Sequence, residues 1–249
     1  MSRRIVATIM ALVAALAGDA PARAQGRDTR DAQTLLQQAD DFRLHWPSVV
    51  IRTRIDNYEH GTLREGEEFD VSVKGDSTHV RFLSTRNKGQ VLLMRGDDMW
   101  FFLPSASRPV RITPIQRLLG NASNGDVARL QYGIDYVPQI AGEEVIDGTT
   151  CTILELQAKR KGATYQRVRL AVRASNAWPI RAECFLTSGR QAKTVFFEQP
   201  RQVQGRTIVT RLVIDDAIRP AERTVMEFLT FTPKDLPDKL FNPARGEGM

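Results

Sequence analysis

The sequence predicts a mainly β protein in which one long antiparallel sheet curls over an apolar interior, accompanied by a few helices. About eleven or twelve segments have strand-like patterns, several of them with clean alternation of apolar and polar residues, and turn residues separate them. Only two helical segments of any size accompany these strands. Because the twist between neighbouring strands accumulates, a sheet of this size cannot stay open and flat, and it must curl.

The first 24 residues have the pattern of a signal peptide. Arg3 and Arg4 precede an apolar run from Ile5 to Gly18, and Ala22-Arg23-Ala24 fits the small-x-small cleavage pattern. The apolar run is shorter than the roughly 20 residues that a membrane span needs. We therefore expect export to the periplasm, cleavage after Ala24 and a single domain over residues 25–249. An uncleaved signal anchor is the alternative.

A helix is expected next, from Thr29 or Asp31 to Trp46, where Pro47 ends it. Its apolar residues recur at helical spacing and form one stripe. These residues are Ala32, Leu35, Leu36, Ala39, Phe42 and Trp46. The stripe must lie against a large apolar surface.

Strands follow the helix. Alternation predicts strands around Val49–Ile55, Phe69–Val73 and Val80–Phe82. The segments Val91–Arg95 and Met99–Leu103 are apolar on both faces. We expect these two to be central strands, with one face on the helix and the other in the interior.

The segment after the aromatic cluster predicts a short amphipathic lid. Thr113 and Pro114 form a helix start, Gly120 is a plausible stop, and Ile115, Leu118 and Leu119 share one face. So short a helix persists only while that face is docked. Residues 121–126, with sequence NASNGD, have the composition of a hinge, and the stretch from Pro114 to about Tyr132 is expected to be helical. A movable lid over a cavity and a fixed plug in an ordinary core remain equally compatible with this pattern.

The second half repeats the strand pattern. Strands are expected at Thr149–Gln157, Tyr165–Arg173, Trp178–Thr187, Ala192–Gln199, Arg206–Asp215 and Arg223–Phe231. The C-terminal sequence PKDLPDKLFNP adds one short turn. A curled sheet with so few helices is either filled tightly by side chains or partly empty and able to hold a ligand, and the sequence does not choose between them.

The chain has two cysteines, Cys151 and Cys184. Both lie in strand-like segments with another strand-like segment between them. In a simple meander they stand two strands apart, about 9–10 Å, which is too far for a bridge. We expect two buried free thiols, although a rearranged strand order would allow a disulfide.

Charge and composition narrow the function classes. The net charge is +6, and removing the +2 of residues 1–24 leaves +4, with both signs interleaved along the chain. Nucleic acid is not expected as a partner because no concentrated basic stripe is present. The mild positive charge either attracts the chain to anionic lipid headgroups or simply belongs to a solvated exterior.

No catalytic constellation is evident. The three histidines are scattered, and the two acidic pairs consist of adjacent strand residues that point to opposite faces. These are His45, His60 and His79, with Glu143-Glu144 and Asp215-Asp216. We expect no enzymatic activity, no metal and no cofactor.

Three segments carry a resemblance to a known family. They are VLLMRGDDMWFFLPSASRPVRITPIQRLLGNASNGDVARL (91–130), DYVPQIAGEEVIDGTTCTILELQAKRKGATYQRVRLAV (135–172) and ERTVMEFLTFTPKDLPDKLF (222–241). Together with the leader, the amphipathic helix and the curled sheet, they resemble the LolA-like family of outer-membrane lipoprotein-sorting proteins, in an uncharacterised branch rather than the lipoprotein chaperone itself. The resemblance implies a LolA/LolB-like, half-open (unclosed) β-barrel with a helical lid. The lid-locking arginine of the classical carrier has no residue-by-residue match.

The resemblance implies a periplasmic carrier of a hydrophobic cargo, lipid or lipoprotein acyl chains, towards the outer membrane. Its partners would be an inner-membrane transporter and an outer-membrane acceptor. Two other hypotheses remain: a module that senses lipid or envelope stress and regulates a membrane partner, and a structural protein with a filled core. The expected cavity lining is Val71, Val80, Phe82, Leu92, Met94, Trp100 and Phe102, with Ile115, Leu118 and Leu119 as the lid.

Overall fold

The structure, a computed structural model, describes residues 22–243, with side chains from residue 31 onward. Residues 1–21, which hold most of the expected signal peptide, lie outside the described residues. Within the described residues, no helix is both long enough and apolar enough to cross a membrane.

The described chain forms three α-helices, fifteen strands and a short 3-10 helix. The helices are α1 (Ala22–Asp41), α2 (Asn124–Ala128) and α3 (Tyr132–Asp135), and the 3-10 helix spans Asp238–Phe241. The strands before α2 are β1 (Ser48–Glu59), β2 (Thr62–Lys74), β3 (Ser77–Phe82), β4 (Val91–Arg95), β5 (Asp98–Phe102), β6 (Val110–Ile112), β7 (Arg117–Leu119) and β8 (Ala122–Ser123). Those after α3 are β9 (Tyr136–Ile146), β10 (Thr149–Ala158), β11 (Arg167–Arg173), β12 (Pro179–Phe185), β13 (Gln191–Val203), β14 (Arg206–Asp216) and β15 (Glu222–Pro233).

Thirteen strands form one antiparallel sheet. Its order is β6-β5-β4-β3-β2-β1-β15-β14-β13-β12-β11-β10-β9, so two meanders are joined where β1 pairs with β15. The edge strands β6 and β9 do not pair with each other. The predicted fold class, a large curled antiparallel sheet that does not close, is therefore confirmed.

Alternation along the strands gives the sheet two different faces. The inner face is apolar and carries one extensive core, to which Ile51, Phe69, Leu92, Leu170 and Met226 belong. The outer face carries cross-strand ion pairs, such as Arg52 with Asp70 at 2.7 Å and Arg169 with Glu144. The helix α1 contributes Ala32, Leu36 and Ala39 to the inner core and contacts β9 and α3.

Two local expectations were wrong. The first helix ends at Asp41 rather than Trp46, and the backbone N–H groups of Arg43 and Leu44 close a final turn on the carbonyl of Asp40. In β5, Met99 and Phe101 face the inner core, whereas Trp100 and Phe102 lie on the outer face. A strand that is apolar on both sides carries no phase signal, so its inner face was misassigned by one residue.

The outer face of β4 and β5 is covered by the C-terminal segment and not by α1. Leu236 and Phe241 pack with Leu93 in a separate cluster that Trp100 and Phe102 border. The Lys74 ammonium holds the segment in place by donating to the Leu236 carbonyl at 2.7 Å and to Asp238 at 2.8 Å. The predicted C-terminal turn is thus a strap over the outer sheet.

The two cysteines are free and buried, as predicted. Cys151 lies on β10 and Cys184 on β12, with β11 between them. They also belong to different clusters on opposite faces of the sheet, which excludes a bridge in this strand order.

His79 is buried on the outer side of β3, the strand that the 3-10 helix contacts. Its Nε2 atom has no hydrogen-bond partner among the described residues. Burial, and to a smaller extent the charge of Arg81, lowers the pKa of His79 to about 4 from its ordinary 6.5. The native fold therefore favours the neutral imidazole.

We predict that His79 makes the fold sensitive to acid. Because the pKa is lower in the folded state, the stabilisation that neutral His79 contributes is complete above about pH 6.5 and is lost as the pH drops towards 4, by up to about 3 kcal/mol. The difference in stability between wild type and His79→Leu isolates this loss, because the raised pKa of Asp40 changes stability in the opposite direction over the same range. Urea unfolding at a series of pH values measures this loss, and His79→Leu should remove most of it. His45→Gln, at a partly exposed histidine, serves as the control. Equal acid sensitivity in wild type and His79→Leu would contradict the prediction.

Candidate functional site

The connection between the two edge strands lies on the inner face of the sheet. We call residues 113–135, which follow β6 and precede β9, the plug; they include the β7–β8 hairpin, α2 and α3. Its buried Ala122, Val127, Ala128 and Leu130 join the inner core. The plug therefore covers apolar sheet surface that the unclosed barrel would otherwise leave open.

The predicted lid helix is replaced by a hairpin. Arg117–Leu119 and Ala122–Ser123 pair as β7 and β8, and Gly120 takes a positive φ of 55° in the turn between them. A side chain at Gly120 would collide with Asn57 on the sheet wall. The Thr113-Pro114 start was misleading, because the residues after it pair across a turn instead of continuing a helix.

Residues 121–126, which were predicted as a hinge, contain β8 and the start of α2. Ser123 caps α2 in a capping box, in which its hydroxyl accepts from the Asp126 N–H while Asp126 accepts from the Ser123 N–H. Asn121 and Asn124 are buried, and Gly125 lies so close to Thr164 that a Cβ there would overlap its side chain. These contacts define the docked position of the plug.

Neutral hydrogen bonds join one end of the plug to the sheet. The Asn121 N–H donates to Thr224 Oγ1 at 2.7 Å, and the Thr224 hydroxyl in turn donates to Asn57 Oδ1 at 2.9 Å. Further along, Thr78 of β3 donates to the carbonyl of Ala128 at 2.8 Å. The Asn121 N–H and the Thr78 hydroxyl have these partners only while the plug is docked, and losing a buried hydrogen bond costs about 1 kcal/mol or more.

A buried ion pair joins α2 to the opposite wall. Lys193 Nζ of β13 lies 2.7 Å from Asp126 Oδ2 and also donates to the carbonyl of Asn121. The Tyr165 hydroxyl donates to the other Asp126 oxygen at 2.8 Å. Burial alone would raise the pKa of Asp126, but Lys193 and these hydrogen bonds hold it below its ordinary value. The carboxylate is therefore ionised and fully partnered in the interior.

The far end of the plug is held by α1. Asp40 accepts from the backbone N–H groups of Tyr132 at 2.9 Å and Gly133 at 2.6 Å, at the start of α3. Burial raises the pKa of Asp40 to about 6, against the lowering effects of Arg43 and these two N–H groups. The guanidinium of Arg43 stacks 4.1 Å from the centre of the Tyr132 ring.

A second buried ion pair joins two residues of the plug. Arg129 lies 2.9 Å from Asp135, and its other terminal nitrogen donates to the Gly96 carbonyl at 2.7 Å. Burial raises the pKa of Asp135 despite the opposing charges of Arg129 and Arg160. The plug thus carries charged groups at several points of an otherwise apolar interior.

The predicted lining residues divide between the two faces. Val71, Val80, Phe82, Leu92 and Met94 all lie in the inner core, whereas Trp100 and Phe102 lie outside it. Of the predicted lid residues, Leu118 and Leu119 are half-buried against the inner core, and Ile115 is 42% exposed. A ligand-binding role for any of them stays a prediction.

The described interior is occupied by the plug. A small cleft of about 20 Å³, the size of one or two water molecules, lies where the plug and the end of α1 meet β13 and β14. A more open groove of about 500 Å³ lies between Ile115 and the loops at Arg160 and Leu186. Among the described residues, no group of three or more His, Cys, Asp or Glu side chains is placed to hold a metal ion.

Sequence reasoning missed the polar residues of this interior. Asp40 and Arg43 fall on the same buried stripe as Leu36, and Lys193 falls in phase with the inward Val195 and Phe197 of β13. These charged residues lie in phase with an apolar face, and this pattern could have identified them. A charge buried in this way requires a partner, so it indicates a polar site in the interior.

Comparisons with known proteins agree with this architecture. A family model described as that of an uncharacterized protein matches residues 74–245. A LolA superfamily protein of Nitrosomonas europaea is 35% identical, with a TM-score of 0.80, over 85% of this chain and 97% of the other. No curated protein matches the chain.

Two more distant structures share the fold. A DUF1329 family protein of Desulfovibrio piger has 23% identity and a TM-score of 0.72, over 86% of this chain and 97% of its own. A Vibrio parahaemolyticus domain assigned to outer membrane lipoprotein sorting has 15% identity and a TM-score of 0.72, over 88% and 99%.

We predict that the plug depends on the Asp126–Lys193 pair. Lys193→Met should lower the free energy of unfolding by about 3–5 kcal/mol, because it leaves a buried carboxylate without its cation. The double variant Lys193→Met with Asp126→Asn should recover part of that loss. Urea unfolding measures both, with Arg169→Gln on the outer face as a control that costs about 1 kcal/mol or less. A double variant no more stable than Lys193→Met would contradict the pairing.

Proposed function

The chain belongs to the LolA superfamily, and from this premise we propose that it is a periplasmic carrier that holds lipid or lipoprotein acyl chains on the inner face of its sheet. The direction of transport is towards the outer membrane, and the mature carrier is the single domain of residues 25–249. The chain carries no catalytic role in this proposal.

One observation carries the proposal: a separate segment covers the apolar inner face of an unclosed sheet. The plug is a connection between the two edge strands, so it can leave the inner face without breaking a strand pair of the large sheet. Sheet residues such as Val71, Leu92 and Leu212 would then offer an apolar surface to acyl chains. Cargo and plug would occupy the same surface in turn.

The free energies of burying an acyl chain and of docking the plug favour such an exchange. Burial of an acyl chain contributes about 0.8 kcal/mol per CH₂ group, so about 14 buried groups contribute roughly 11 kcal/mol. The plug buries apolar side chains as well, but it also has to place the charges of Arg129 and Asp135, and the nearly buried carboxylate of Asp126, in an interior of low polarity. Desolvating such charges cancels much of the attraction between them. The docked plug is therefore stable without being irreversibly bound.

Two observations support a periplasmic setting for the carrier. Residues 1–24 have the pattern of an export signal, and a Vibrio parahaemolyticus domain of the same fold is assigned to lipoprotein sorting. We propose an inner-membrane transporter as donor and an outer-membrane protein as acceptor. The groove between Ile115 and the loops at Arg160 and Leu186 is the proposed path for the acyl chain, and Ile115 is exposed beside it.

We predict that loosening the plug strengthens the binding of an acyl ligand. Thr224→Val removes the acceptor of the Asn121 N–H and the donor to Asn57, which should weaken plug docking by about 1–2 kcal/mol. Because cargo competes with the plug, the apparent Kd for cis-parinaric acid should fall by up to roughly tenfold. Fluorescence titration measures the Kd.

The matched control is Thr230→Val, which makes the same change at an exposed position on the same strand. It should leave the Kd unchanged. A Thr224→Val protein that is folded by circular dichroism yet binds more weakly than wild type would contradict the competition. Failure of the wild-type chain to bind the probe at all would overturn the carrier proposal.

A further inference from the structure

The loops at one end of the large sheet carry charge of a single sign. Because neighbouring strands of a meander run in opposite directions, every second connection lies at the same end of the strands. Six connections lie at the end where β1 turns into β2, and all of their Asp, Glu, Lys and Arg positions are Lys or Arg. We call these loops the basic rim, which consists of residues 60–61, 83–90, 103–109, 159–166, 186–190 and 217–221.

The turns at the opposite end of the strands have the opposite charge. Five turns of the sheet lie there, at residues 75–76, 96–97, 147–148, 174–178 and 204–205. Among these described residues, the only charged side chains are those of Asp76, Asp97 and Asp147. The turns of the sheet therefore place cations at one end and carboxylates at the other.

Contacts join neighbouring loops of the basic rim. The His60 N–H donates to the Ala221 carbonyl at 3.0 Å, which links the β1–β2 turn to the β14–β15 loop. Gly89 lies so close to Pro104 that a Cβ there would be 2.9 Å from its ring, which links the β3–β4 and β5–β6 loops. The turn of the β7–β8 hairpin reaches the same end of the sheet, where its backbone N–H donates to Glu65 at 3.3 Å.

Five cations of the basic rim have no carboxylate partner. Their side chains are exposed, and none of them forms an ion pair with another described residue; they are Arg86, Lys88, Arg108, Lys161 and Arg190. The other three, Lys159, Arg160 and Arg219, bind acceptors within the protein. On the outer face of the strands, by contrast, cations such as Arg52 have carboxylate partners. The rim thus keeps free the charges that an anionic surface attracts.

Exposed apolar side chains accompany these cations. Ile218, in the rim loop between β14 and β15, is 56% exposed, and Leu63, the second residue of β2, is 49% exposed. Val110, directly after the rim loop that contains Arg108, is 51% exposed. Cations and protruding apolar side chains on the same surface suit the headgroup region of a bilayer, which offers phosphates above an apolar layer. An acidic protein would match the cations but not apolar side chains spread over separate loops.

We propose that the basic rim docks the protein on a bilayer surface that contains anionic phospholipids. The free cations contact lipid phosphates, and Ile218 and Leu63 enter the headgroup region. Docked in this way, the protein presents the turn of the β7–β8 hairpin, one end of the plug, to the membrane. The inference goes beyond the proposed carrier function and does not depend on it, because docking requires no bound cargo.

Co-sedimentation of the exported protein with vesicles tests the proposal. The vesicles contain phosphatidylglycerol and phosphatidylcholine in equal parts, or phosphatidylcholine alone. The protein should bind the anionic vesicles at least about tenfold more tightly, and about 0.5 M salt should remove most of this preference. A rim variant with Arg86→Gln, Lys88→Gln and Arg190→Gln should bind them roughly tenfold or more weakly, because each basic residue near an anionic surface contributes about fivefold.

The matched control removes three exposed cations near the opposite turns, by Arg95→Gln, Arg201→Gln and Arg206→Gln. It has the same net charge as the rim variant, and its affinity should stay within about twofold of wild type. Ile218→Ser should weaken binding severalfold without changing the salt dependence, because it removes an apolar contact and no charge.

Three outcomes overturn the proposal. They are absence of binding to the anionic vesicles, an equal loss in the rim and control variants, and wild-type binding by the rim variant. The last result would favour an acidic protein as the occupant of the rim. Unchanged binding by Ile218→Ser would overturn the insertion of apolar side chains. None of these results bears on the carrier function, because binding of cis-parinaric acid is measured without membranes.

Discussion

The structure depends on one constraint: the apolar inner face of a sheet that does not close on itself must be covered. Thirteen strands curl far enough to create an interior, but β6 and β9 remain unpaired with each other. The unpaired edges leave the inner face accessible. The plug, which connects β6 to β9 along the chain, covers it. The position of α1, the buried ion pairs and the cleft near Arg43 all follow from how this cover is held.

The cover is held by polar contacts at both ends of an apolar segment. Asn121 is fixed to Thr224 at one end, and the N–H groups of Tyr132 and Gly133 are fixed to Asp40 at the other. Between them, Asp126 reaches Lys193 on the wall. Such contacts specify one docked position but add little net stability, since each charged group is desolvated to form them. A unique position with a modest docking energy suits a segment that gives way to cargo.

The sequence predicts the sheet well because alternation with a period of two is a local property. Val91–Arg95 was expected with the bounds that it has, and the two cysteines were placed on strands with one strand between them. The phase of β5 was not predictable, since apolar residues on both faces leave Trp100 and Phe101 equivalent in the pattern. The plug was misassigned as a helix because its hairpin and short helices are stabilised by contacts with distant residues such as Asn57, Thr164 and Lys193. The polar groups of the candidate site are also placed by tertiary contacts, so the lining predicted from apolar residues does not include Arg43.

If the plug and the cargo occupy the same surface in turn, cargo binding must expose the plug to hydrogen exchange. Amide exchange would be followed by mass spectrometry with and without saturating oleate. Residues 113–135 should lose protection when oleate binds, while β1, β2 and β15 keep theirs. Oleate binding with unchanged or increased protection of residues 113–135 would contradict it, because the plug would then be part of the wall and not its movable cover.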